Sequence, residues 1–142
     1  MKRSEVREAA FFMLFEKQFR DDTCEEIAAI EREAEEFPLC TDAIELFEKI
    51  NEKTTELDSV ISGFSEKRRV NRIGKVSLTV LRIAVYECLY EENVPVNVAI
   101  SEAVHLSEKY SFESDTAFVN GVLGAFARSF AEKNGSVTSD NE

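Results

Sequence analysis

Thirteen residues from Leu78 to Tyr90, LTVLRIAVYECLY, carry ten apolar or aromatic side chains and leave the chain few ways to fold. Leu78, Leu81, Val85 and Leu89 mark one helical face, while Val80, Ile83, Ala84 and Cys88 continue the pattern around the cylinder. A helix that is apolar on every side is a buried one. With Lys75 before it and Glu91-Glu92 after it, the stretch is too short and too charged at its ends to span a membrane. A buried strand is the competing reading of so β-branched a run, but the length and the lack of period-two alternation favour a helix. The stretch therefore predicts an all-α protein, with the other helices packed around this central one.

At 142 residues, 44% hydrophobic and 32% charged, the chain suits one domain with a sizeable core. Its charged start, MKRSEVRE, is unlike a signal peptide, and no run reaches transmembrane length, so a cytoplasmic protein is expected. Cys24, Cys40 and Cys88 are scattered with no C-x-x-C spacing, and read as reduced thiols without disulfide or metal. A single histidine, His105, excludes a multi-histidine metal site and reads as a helix-surface residue. The chain shows neither a glycine-rich cofactor loop nor a nucleophile–base pair, so no enzyme and no cofactor are expected.

The net charge of −11 is unevenly spread: +2 over residues 1–20, −11 over 21–62, +5 over 63–82 and −7 over 83–142. Such a protein does not coat nucleic acid indiscriminately, yet it can hold a particular strand at its two basic islands.

In chain order, residues 4–19 form a helix whose core stripe is Val6, Ala9, Ala10, Met13 and Leu14. Phe11, Phe12, Phe15 and Phe19 exceed what that stripe needs. Arg3, Arg7, Phe11 and Phe15 follow one another at i+4, which lines guanidinium groups and rings along one face. Cations beside stacking rings are the chemistry of single-stranded RNA recognition, although core rings with solvated arginines fit the same pattern.

Thr23 and Glu26 make a capping box for a second helix with Ile27, Ile30, Ala34 and Phe37 on one face, stopped by Pro38. A third helix begins near Asp42, buries Ile44, Phe47, Ile50, Leu57 and Ile61, and closes at Gly63. Residues 65–74 read as a short helical segment in which Lys67, Arg68, Arg69 and Arg72 suit phosphates, an acidic partner, or simply the acidic neighbouring helices.

After the central helix, Pro95 marks a connector and Asn97 the cap of a helix carrying Ile100, Ala103, Val104, Leu106 and Tyr110. Ser114 or Asp115 caps the last helix, Thr116 to about Lys133. Its glycines, Gly121 and Gly124, each cost about 1 kcal/mol relative to alanine and imply close approach of another helix backbone. Residues 134–142 read as a disordered tail.

Three motifs in order, LRIAVYE, VPVNVAISEAVHLSEKY and FVNGVL, closely resemble the NusB family of bacterial transcription antitermination factors. The likeness runs from about Arg72 to Arg128, and more loosely through Arg7-Glu8-Ala9 to Phe15. It implies one all-α domain over 1–133, built of two roughly perpendicular three-helix bundles, about 1–63 and 64–133. It implies binding to boxA RNA of nascent transcripts, together with the small-subunit ribosomal protein NusE and the elongation complex. The RNA contacts implied are Lys2, Arg3, Arg7 and Phe15, then Ser114, Asp115 and Phe118, with Phe15 and Phe118 near each other at the bundle junction. Arg82, Glu102, Asn120 and Gly121 are assigned to holding helices in register. Two departures stand out: Ser4 and Glu5 interrupt the family's N-terminal arginine run, and ISEA replaces INEA. The first leaves a helical protein-interaction module with weak RNA binding as the alternative function.

Overall fold

The computed structural model describes residues 2–134, so the tail expected beyond Lys133 falls, apart from Asn134, outside the described residues. Among these residues there are seven α-helices and no strand: α1 (Arg3–Lys17), α2 (Cys24–Ala34), α3 (Thr41–Glu52), α4 (Thr54–Phe64), α5 (Lys75–Tyr90), α6 (Val96–Tyr110) and α7 (Glu113–Asn134). A single 3-10 turn, Val70–Arg72, lies between α4 and α5. None of these helices is long and apolar enough to cross a membrane.

The apolar stretch is the centre of the molecule, as its pattern requires. Every residue of α5 from Ser77 to Glu87 is buried except Arg82, and α5 touches α1, α3, α4, α6 and α7. Three of its polar side chains, Thr79, Arg82 and Glu87, bind neighbours, as buried polar groups must. The Thr79 hydroxyl donates to the Lys75 carbonyl at 2.7 Å and accepts from the Gln18 amide at 2.6 Å, just past the end of α1. Arg82 donates twice to Asp58 of α4, at 2.8 Å each. Helices α1–α3 pack on one another, α4, α6 and α7 pack around α5, and α1 joins the two groups by lying against α5.

The helix expected over 42–62 is two helices. The break falls at Lys53 (φ −99°, ψ 8°), where the Thr54 hydroxyl donates to the carbonyls of Asn51 at 2.9 Å and Ile50 at 3.4 Å. A hydroxyl bonded back to the preceding turn offers those carbonyls a partner other than the helix ladder. Only the pair Thr54-Thr55, with neither glycine nor proline, marks the site in the sequence. The turn carries α4 onto α5 and α7.

Other boundaries differ more modestly. Helix α2 opens on the expected capping box, Glu26 N–H to Thr23 Oγ1 at 3.1 Å and Thr23 N–H to Glu26 Oε1 at 2.8 Å. It stops at Ala34 because Glu35 is left-handed (φ 55°), so Phe37 packs on Phe12 from the loop, ring centres 4.9 Å apart. Gly63 lies inside α4, and residues 65–74 are a loop around the 3-10 turn instead of a helix. Pro95, not Asn97, caps α6; its fixed φ suits an entry into a helix.

The two glycines of α7 are not there for a neighbouring backbone. A Cβ added at Gly121 would meet nothing within 4 Å, and one at Gly124 would meet only the Arg128 guanidinium, at 3.6 Å. Asn120 and Gly121 are exposed, whereas Arg82 and Glu102 do bind across helices. The three cysteines are free and half-buried, and His105 is exposed on α6.

Candidate nucleic-acid interface

The N-terminal turn of α1 brings its cations against α5 and α6, where three carboxylates wait. Arg7 is 2% exposed. Its Nε donates to Glu87 Oε1 at 2.8 Å, its Nη2 to Glu87 Oε2 at 3.0 Å and its Nη1 to Glu102 Oε1 at 3.2 Å. Every nitrogen of the guanidinium is engaged, and Glu87 is itself fully buried. Arg7, expected among the RNA contacts, therefore faces inward and fastens α1 to α5 and α6. The i+4 spacing that suggested an exposed Arg–Phe face cannot reveal a carboxylate lying 80 residues further on.

Arg3 is half-committed. Its Nη2 donates to Glu87 at 2.9 Å and to Glu91 at 3.3 Å, while the side chain stays 41% exposed. Lys2 is exposed, and its backbone N–H donates to Glu5 at 2.9 Å. The glutamate that interrupts the arginine run thus caps the helix that carries it.

The rings fall into two groups. Phe11 is buried, stacked on Tyr110 with ring centres 5.2 Å apart. Phe15 is half-buried, between Phe11 at 6.3 Å and Phe19 at 5.1 Å. Phe19 is 61% exposed, with the Lys75 ammonium 5.3 Å from its ring centre. Phe118, half-buried on the first turns of α7, has Arg68 above its face at 4.3 Å. Phe15 and Phe118 make no ring contact with each other and line different hollows. The basic loop 65–75 reaches toward both groups, through Arg68 at one end and Lys75 at the other.

Ser114 is exposed on the first turn of α7, and Asp115 accepts from the Phe112 N–H at 3.2 Å, which fixes the helix start one turn earlier than expected. Phe112 is 80% exposed. The sequence carries no signal for it, because a lone phenylalanine in SFESD has no helical partners to give it a pattern.

One hollow in the surface adjoins Phe118: a groove of about 370 Å³ between Gly63–Lys67 and α7, floored by Phe118 and Gly121 and reaching Arg128. A second, of about 350 Å³, is walled by Phe12, Phe15, Phe19 and Phe37 with Glu16, Glu31 and Glu36. There the Glu31 carboxyl is pushed up to about 7, first by its hydrogen bond with Glu16 and then by burial. Like-charged neighbours that share a proton behave this way.

The chain matches the NusB family over residues 4–128. It is 38% identical over 132 residues to the transcription antitermination protein NusB of Lachnoclostridium phytofermentans, which covers 87% of this chain and 96% of that protein. With the same protein of Agathobacter rectalis it shares 39% over 132 residues, 89% of this chain and 100% of the relative. Among solved structures, T. maritima NusB superposes with a TM-score of 0.77 at 33% identity, covering 90% of this chain and 92% of that one. A chain of the crystal structure of antitermination factors NusB and NusE in complex with dsRNA superposes with a TM-score of 0.76 at 26% identity, over 89% of this chain and 96% of that one. With its central helix, its seven-helix arrangement and nearly its whole length matched, this chain belongs to the NusB family.

Proposed function

We propose that this protein is an RNA-binding transcription antitermination factor, which binds boxA RNA of nascent transcripts together with the ribosomal protein NusE. It acts where transcription does, in the cytoplasm, and by binding alone, without catalysis. The observation that carries the reading is the family match over residues 4–128, with relatives that are named antitermination proteins.

The contacts divide by what each side chain has left to offer. Lys2 and Arg3 reach phosphates. Phe15 and Phe118 offer half-exposed ring faces on which bases stack, a contact that tolerates any base because every base has a π-face. Ser114 and Asp115 sit beside Phe118 at the start of α7 and present a hydroxyl and a carboxylate to base edges. Arg7 acts one step back: with Glu87 and Glu102 it sets the position of the segment that carries Lys2 and Arg3.

The test is a boxA RNA mobility shift with the chain alone and with NusE. A shift that strengthens with NusE supports the reading. No shift under either condition, with NusE still co-eluting, leaves a protein-interaction module.

A further inference from the structure

We propose that the loop from Lys67 to Lys75 is a second phosphate-binding surface for single-stranded RNA, leading from Phe118 along the groove beside α7. The inference rests on the RNA-binding reading above and adds to it a surface outside the contacts carried over from the family.

The first reason is a shortage elsewhere. Of the three N-terminal cations, Arg7 is spent inside the fold and Arg3 is partly neutralised by Glu87 and Glu91. Lys2 alone is unencumbered. Affinity for RNA leans heavily on phosphates neutralised by lysine and arginine, and these residues supply little of it.

The second reason is a supply with no internal use. Lys67, Arg69, Arg72 and Lys75 are exposed, and none of them makes an ion pair with any described residue. Glu66 is the only acid among residues 63–82. The acidic neighbouring helices therefore do not consume these cations, which removes the bland explanation of their density.

The loop is also built, not loose. Buried Ser65 donates its hydroxyl to the Arg68 carbonyl at 2.6 Å. The Arg72 N–H closes the 3-10 turn on the Arg69 carbonyl at 2.8 Å, and Ile73 is sunk in the core. Cations held on an ordered backbone lose less freedom on binding.

The pattern of cation and ring decides between RNA and an acidic protein. Arg68 lies on Phe118 and Lys75 by Phe19, so each end of the loop presents a charge beside a flat apolar face. An acidic peptide would use the charges and leave the rings idle, whereas a single strand uses both, phosphate on cation and base on ring. The groove between loop and α7 is about 370 Å³, and Gly121, which the packing of the fold does not require, keeps its floor open.

The experiment is a potassium chloride titration of a labelled single-stranded boxA RNA by fluorescence anisotropy, on the full chain and its variant R68Q/R69Q/R72Q, with thermal melts to confirm folding. Losing three contacts should make the slope of log K against log salt shallower by about 2, at roughly 0.7 per phosphate. Gly121→Leu, which fills the groove, should weaken binding with no loss of melting temperature. A triple variant with the parent's affinity and slope overturns the proposal while leaving the RNA-binding reading intact. Unchanged RNA binding with lost NusE co-elution overturns it too, and makes the loop a protein-docking surface. If the parent chain binds no boxA RNA with or without NusE, the functional reading fails and this inference fails with it.

Discussion

Arg7 and Glu87 meet side by side in the interior, two nitrogens against two oxygens at 2.8 and 3.0 Å, and the same carboxylate also receives Arg3 at 2.9 Å. A buried pair of this kind is expensive to break from one side, because the partner left behind is an uncompensated charge. Glu87→Gln should therefore cost about 3–5 kcal/mol of unfolding free energy. The double variant R7M/E87M should lose much less. Urea melts of the three proteins check this, and a Glu87→Gln variant as stable as the parent would contradict it.

Glu31 makes stability depend on pH in an unusual direction. Its folded-state pKa, about 7, lies above the ordinary glutamate value of 4.5, so between those values the native state holds a proton that the unfolded chain has released. Stability then falls as pH rises across that window, since the unfolded state binds fewer protons there. Glu31→Gln should flatten this fall and raise the melting temperature above neutral pH. Thermal melts across the window that rise with pH in the parent would refute it.

Gly121→Ala should stabilise α7. Nothing lies within 4 Å of the added carbon, so the gain is the helix-propensity difference of up to about 1 kcal/mol. A lowered melting temperature would show that a packing neighbour had been missed.

Phe118→Ala should weaken boxA RNA binding by about 1–3 kcal/mol, the usual value of a stacked ring. The ring is only half-buried, with Arg68 against one of its faces, so the fold should survive its loss. Isothermal titration beside a thermal melt separates the two effects; a stable variant that binds RNA as the parent does would remove Phe118 from the interface.

Much of this architecture was legible in the residues because it rests on local rules. An apolar stretch without a polar face has to be central, and α5 is. Thr23 and Glu26 satisfy each other within one turn, so their box forms wherever the helix lies. Arg82 and Glu102, polar residues among apolar ones, signalled partners on other helices. What stayed hidden depends on distant segments. Nothing near Arg7 reveals Glu87, so the same i+4 ladder reads as an RNA face in the sequence and as an inward clamp in the fold. The bend at Lys53 and the empty space above Gly121 are likewise set by where α4 and α7 come to lie.

The clamp also has a consequence in time. Arg7 precedes its carboxylate by 80 residues, and at roughly 5–20 residues per second of synthesis that is a wait of about 4–16 s. During that interval the nascent chain has a helix with two arginines and three phenylalanines but no central helix to receive it. The N-terminal segment cannot settle into its final position until α5 has left the ribosome, and Glu102 follows later still. A chain truncated before residue 87 should therefore remain aggregation-prone however well α1 to α3 form, and RNA binding should be among the last properties the newly made protein acquires.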